Sequence, residues 1–196
     1  MTLTELQNEV YAITNRPDMA TQTLSAVRAA TLTLHQSDYF YKDLIETGLS
    51  FPTAEYLQQI EYGPLLPRFR SLKYIRRTDA TGQEDGNFFE ILPPELVVDS
   101  YKINKADVAY MAGALIQLRA APPVQYLLVG YYAHPNITVD AYNSWIAQEH
   151  PYAIIYMAAA RIFKSVGKDS EYSAWTNMAA LEARNILISN IVATGV

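Results

Sequence analysis

The residues best suited to proton transfer or metal ligation are three histidines, His35, His134 and His150. None has a second donor at a spacing that puts two ligands on one helix face. There is no H-x-x-x-H and no H-E-x-x-H, and Glu149 and His150 are adjacent, so their side chains diverge. The pattern predicts surface or capping histidines. Cysteine is absent, which removes thiolate nucleophiles, thiolate metal sites and disulfides. No G-x-S-x-G elbow, G-x-x-x-x-G-K-[ST] loop or G-x-G-x-x-G turn occurs among the eight glycines. A Ser–His–Asp group assembled in three dimensions stays open, because sequence order does not constrain it. On these residue types we assign no catalytic residue, no cofactor-binding residue, no metal ligand and no cofactor, and expect a protein that is not an enzyme.

Charge offers a second chemistry. The chain carries 15 basic and 20 acidic residues, a formal net charge of −5 that opposes general phosphate-driven affinity. One local exception is the acid-free run of Arg68, Arg70, Lys73, Arg76 and Arg77, interleaved with Phe69 and Tyr74. Cations beside aromatics suit a nucleic-acid strand. In a strand, however, Arg68, Arg70 and Arg76 share one face while Phe69, Lys73 and Arg77 share the other. The run therefore reads either as a DNA-facing surface or as a solvated strand whose arginines bond across a subunit boundary.

Association chemistry is a third. Asn185 to Val196 contains no charged side chain but holds Ile186, Leu187, Ile188, Ile191 and Val192. These apolar residues serve either the chain's own core or a partner's surface. Fifteen tyrosines fit surfaces buried on assembly, and equally a tyrosine-rich sheet. The N-terminus lacks the pattern of a signal peptide. The apolar stretch Tyr152 to Ala160 stops at Arg161, too short to span a bilayer, so a soluble protein is expected with no membrane partner.

The elements that must position these residues follow from periodicity. Thr2 with Glu5 matches a capping box, and Leu3, Leu6, Val10 and Ile13 form one helical stripe. Asn15-Arg16-Pro17-Asp18 breaks it, and a second helix is expected over 19–36 with Leu24, Val27, Thr31 and Leu34 on one side. From Leu44 to about Lys105, prolines and glycines punctuate short runs at 44–51, 69–77 and 87–92, which favours strands. The loop 78–86 joins a strand ending at Arg77 to one starting near Asn87. Residues 108–132 read as a pair of strands, with Pro122-Pro123 in their connection because proline cannot donate to a ladder. Pro151 opens a helix, Gly167 closes it, and Asp169 or Ser170 caps a last helix reaching about Val192.

The expected class is α+β: an N-terminal helical hairpin, a β-rich middle, and a C-terminal helix pair with an extended apolar end. The chain reads as a single domain in four parts: hairpin 1–43, β-rich part 44–135, helical part 136–184, and partner-docking end 185–196.

Two sets of residues carry a family resemblance. At the front stand Leu3-Thr4-Glu5-Leu6, Asn15-Arg16-Pro17-Asp18 and Leu34-His35-Gln36-Ser37-Asp38-Tyr39-Phe40-Tyr41-Lys42-Asp43. At the back, Tyr131-Tyr132 with Pro135, Tyr142-Asn143-Ser144-Trp145-Ile146-Ala147 and Pro151 to Trp175 recur in order. This pattern resembles the head-to-tail adaptor (connector) proteins of tailed bacteriophages. The resemblance implies a virion protein at the head–tail interface, assembled in the host bacterial cytoplasm. It implies a homo-oligomeric ring, twelvefold like the portal, that extends the DNA channel toward tail or nozzle proteins. Implied partners are the portal protein, tail or nozzle proteins, other copies of itself, and genomic DNA passing without sequence-specific binding. It assigns portal docking to Ile186, Leu187, Ile188, Ile191 and Val192, and leaves Arg68, Arg70 and Arg76 for a subunit interface or the channel. A tail-completion or tail-tube protein, or a nucleic-acid-binding module, are the alternatives.

Overall fold

The computed structural model describes residues 1–93, 95–96 and 106–195. It is an α+β chain of N-terminal helices, a central β-sheet and C-terminal helices. The chain divides into two compact units. One joins Met1–Asp43 to His134–Val196, and the other is Leu44–Ala133.

In the helical unit, α1 (Leu3–Thr14) starts as its sequence demands. Thr2 Oγ1 accepts from the Glu5 backbone N–H while the Glu5 carboxylate accepts from that of Thr2. Asn15 ends the helix in the left-handed region at φ 52°, and Pro17–Met19 form one 3-10 turn. Helix α2 (Ala20–Gln36) follows. A short helix, α4 (Trp145–Glu149), and α5 (Pro151–Ser165) precede the long α6 (Asp169–Thr194); α3 (Tyr62–Leu65) belongs to the sheet unit. Pro151 occupies the first turn of α5, where its missing N–H costs nothing, and Gly167 turns the chain at φ 73°. The expected Asp169 or Ser170 cap is absent: Lys168 stands at the N-cap without a side-chain bond, and Asp169 already lies in the helix. One core joins Leu6 and Val10 of α1, Val27 and Leu34 of α2, Ile154, Ala158 and Ile162 of α5, and Ile186 of α6.

The sheet unit is built on two long strands, β1 (Leu44–Glu61) and β6 (Leu115–Ala133). They pair antiparallel from Leu44↔Tyr132 to Glu61↔Leu115. On the other side of β6, β2 (Phe69–Thr78) pairs with its C-terminal half and β5 (Val108–Ala112) with its N-terminal half. Strands β3 (Glu84–Phe88) and β4 (Glu90–Ile91) complete the order β3-β2-β6-β5-β4. Two expectations fail here. Pro52 does not end the first strand, and Pro122-Pro123 do not lie in a connection but inside β6. The reason is local. The β1 register shifts between Ser50 and Leu57, opposite the proline pair, so the ladder asks no donor of those prolines. The next strand after the 78–86 region begins at Glu84, three residues earlier than expected. Asp79 explains the tight turn, accepting from the Thr81 and Gln83 backbone N–H groups.

Candidate functional site

The helical unit holds a buried polar constellation that the histidine spacings did not suggest. His35, near the end of α2, is buried rather than on the surface. Its Nδ1 lies 2.8 Å from Asp43 Oδ1, and its Nε2 lies 2.8 Å from Ser144 Oγ. Asp43 and Ser144 are buried as well. A carboxylate only accepts, so Nδ1 carries the proton and donates to it, and Nε2 bonds with the Ser144 hydroxyl. Trp145 Nε1 donates to the same Asp43 oxygen at 2.8 Å, and the indole packs edge-on to His35 at 5.6 Å and to Phe40 at 5.2 Å.

These are the residue types of a nucleophilic triad in a triad's order of contact. The serine decides its chemistry. Ser144 Oγ accepts from the Ala147 backbone N–H as the N-cap of α4, and only 4% of the residue is exposed. A hydroxyl sealed from solvent and engaged by a helix N-terminus has no open side for a substrate. As it stands, the group ties the end of α2, the 3-10 turn Tyr41–Asp43 and the start of α4 together. Tyr142 extends the brace: its hydroxyl lies 2.7 Å from Thr31 Oγ1. Burial pushes the Tyr142 phenol up, against hydrogen bonding with Thr31 and Ser144 that pulls it down.

On the outside of this brace, Lys42 pairs with Glu149 and lies over the Trp145 ring at 5.1 Å. The hydrogen bond to Glu149 raises the Lys42 pKa, so the ammonium is retained. A small cleft here is closed on its far side by Ile186, Ser189 and Asn190 of α6.

The C-terminal residues fall into two sets. Helix α6 continues through the uncharged segment to Thr194, so the apolar end is helical rather than an extension leaving its unit. Ile186 is buried in its own core and Leu187 packs against it. Asn190 pins the helix, its Oδ1 accepting from the Tyr41 backbone N–H and its Nδ2 donating to Asp38. Ile188, Ile191 and Val192 are exposed, Val192 at 77%.

The basic run separates too. Register shifts between Phe69 and Ser71, and between Leu72 and Tyr74, break the simple alternation. Phe69, Leu72 and Ile75 consequently all pack toward the sheet's core at steps of three, while Lys73 is exposed and Arg77 buried. Arg77 donates to the Pro122 carbonyl at 2.6 Å and to the Asp107 carboxylate, and lies over Phe89. It belongs to no surface patch. Arg76 rests on the Phe88 ring, 4.1 Å from its centre, beside Tyr74. Arg68 is exposed and Arg70 half-buried. The three arginines singled out from sequence form no single site.

Among the described residues no group of three His, Asp or Glu side chains could hold a metal ion, and no helix is long and apolar enough to cross a membrane. The sequence matches no protein-family model and no curated protein.

Proposed function

We propose that this chain is a structural virion protein of a tailed bacteriophage, a head-to-tail adaptor. In this reading it forms a ring between the portal and the tail or nozzle proteins and extends the DNA channel. The observation that carries the proposal is the end of α6. It is uncharged from Asn185 onward, held in place by Ile186 and Asn190, and presents Ile188, Ile191 and Val192 to solvent. Three exposed aliphatic side chains on an anchored helix end suit a surface that another protein covers. The N-terminal hairpin and the α4–α5–α6 segment contain the residues on which the adaptor resemblance rests. The acidic net charge suits a channel wall past which DNA slides.

Portal rings mixed with the purified protein test the proposal by cryo-electron microscopy and co-sedimentation. The expected result is added density on the portal's tail-facing side with the portal's symmetry. Ile188→Asp with Val192→Asp should abolish it while helical circular dichroism is unchanged. Self-assembly into tubes without a portal would instead indicate a tail-tube or tail-completion role. Salt-sensitive DNA binding lost on Arg70→Ala with Arg76→Ala would indicate a nucleic-acid-binding module.

A further inference from the structure

Helix α6 carries two apolar stripes. One, through Trp175, Ala179, Ala183 and Ile186, packs into its own unit. The other runs through Ala174, Met178, Leu181, Asn185, Ile188 and Val192, all exposed, Leu181 at 62%. At about 100° per residue the second stripe lies roughly 135° around the helix from the first. Its steps alternate four and three without interruption. That is the spacing of a and d positions in a two-helix coiled coil, with Met178, Asn185 and Val192 at a and Ala174, Leu181 and Ile188 at d.

We propose that this stripe is a seam at which two copies of the chain pair through parallel α6 helices, in register at Asn185. The occupant follows from the seam itself. A lone asparagine at an a position carries both a donor and an acceptor, so two Asn185 amides facing across a twofold axis satisfy each other. An out-of-register pair leaves both buried without partners. Orientation follows from the flanking charges. Around a parallel seam Arg184 faces Ser189 of the second copy and Glu182 faces Asn177, so no like charges meet. An antiparallel pair centred on Asn185 brings Arg184 against Arg184. The seam spans about 27 Å, and two helices of that length bury on the order of 1,000 Å², the lower limit for a specific interface. The pair is therefore reversible. It also covers Ile188 and Val192, so a paired chain cannot dock by that surface. The inference does not rest on the adaptor reading.

Because the chain has no cysteine, single introduced cysteines report on the seam directly. Leu181→Cys, Ile188→Cys and Val192→Cys, each mildly oxidised as the full-length protein, should each give disulfide dimers, since parallel in-register helices bring equivalent positions within bonding reach. Ala180→Cys, exposed but off the seam, should give none. Sedimentation equilibrium should show a concentration-dependent dimer that Leu181→Glu with Ile188→Glu weakens at least tenfold at unchanged helical content. Cross-linking only in a mixture of Leu181→Cys with Ile188→Cys would mean antiparallel pairing and overturn the proposal. So would a chain monomeric at all concentrations whose seam is covered only in complex with a portal or tail protein. Failure to bind portals leaves these results untouched, and the reverse also holds.

Discussion

Replacing His35 by alanine removes the ring that joins two buried groups. Asp43 keeps Trp145 Nε1 but loses its imidazole, and Ser144 keeps its capping role but loses the ring nitrogen. Two buried hydrogen bonds are lost, one of them to a charged group, so His35→Ala should lower the free energy of urea unfolding by about 2–4 kcal/mol. Ser144→Ala should cost about 1–2 kcal/mol through the lost cap and hydrogen bond. Unchanged stability with loss of a measured hydrolytic turnover would make the trio catalytic instead. Gly130 poses a different constraint. A Cβ there would lie 2.5 Å from the Tyr74 ring, which stands over the bare backbone and donates its hydroxyl to Glu46. Gly130→Ala is expected to cost about 1–3 kcal/mol, and Tyr74→Ala in the same chain should recover part of it. Neither arrangement was legible from local pattern. His35 and Ser144 are 109 residues apart with the whole sheet unit between them, and a glycine inside a strand does not name the ring above it.

At the scale of elements, what local chemistry determines was readable and what partners determine was not. The capping box at Thr2, the break at Pro17 and the turn at Gly167 each depend on residues within one turn. The prolines at 52 and 122–123 misled because the strand register shifts at each of them, the extra residues lying in the proline's own strand, and an interrupted ladder does not need the donor they lack. The regular alternation expected for Arg68 to Arg77 failed for a similar reason: two register shifts decide which side chains turn inward. The capping box yields a pH prediction. The hydrogen bond from the Thr2 backbone N–H holds the Glu5 carboxyl below its usual range. A depressed value means the stabilisation is present above the unfolded-state value and is lost as pH falls through the folded one. The first turn of α1 should therefore fray as pH falls below the ordinary glutamate range, read from the carbon chemical shifts of Leu3 to Leu6. Glu5→Gln should remove that part of the dependence.

At the scale of the molecule, the segregated order of helices and strands signalled α+β, but not that both ends of the chain share one core. That sharing is physical: among the described residues, the fully buried side chains of the helical core come from 3–40 and 146–186, and those of the sheet core from 60–133. Each unit thus has its own apolar interior, as independently folding units require. The chain also enters and leaves the sheet unit at neighbouring points, because Leu44 pairs with Tyr132 on the last rungs of the β1–β6 ladder. Paired residues in such a ladder lie about 5 Å apart, a gap that a few glycines and serines close. Replacing 44–133 by a Gly-Ser turn of about four residues should therefore leave a helical protein with a cooperative thermal transition. The His35–Asp43 and His35–Ser144 bonds lie wholly within what remains, so His35→Ala should destabilise the shortened chain about as much as the whole one. A shortened chain that melts without cooperativity, or that no longer responds to His35→Ala, would mean the helical core forms only with the sheet unit in place.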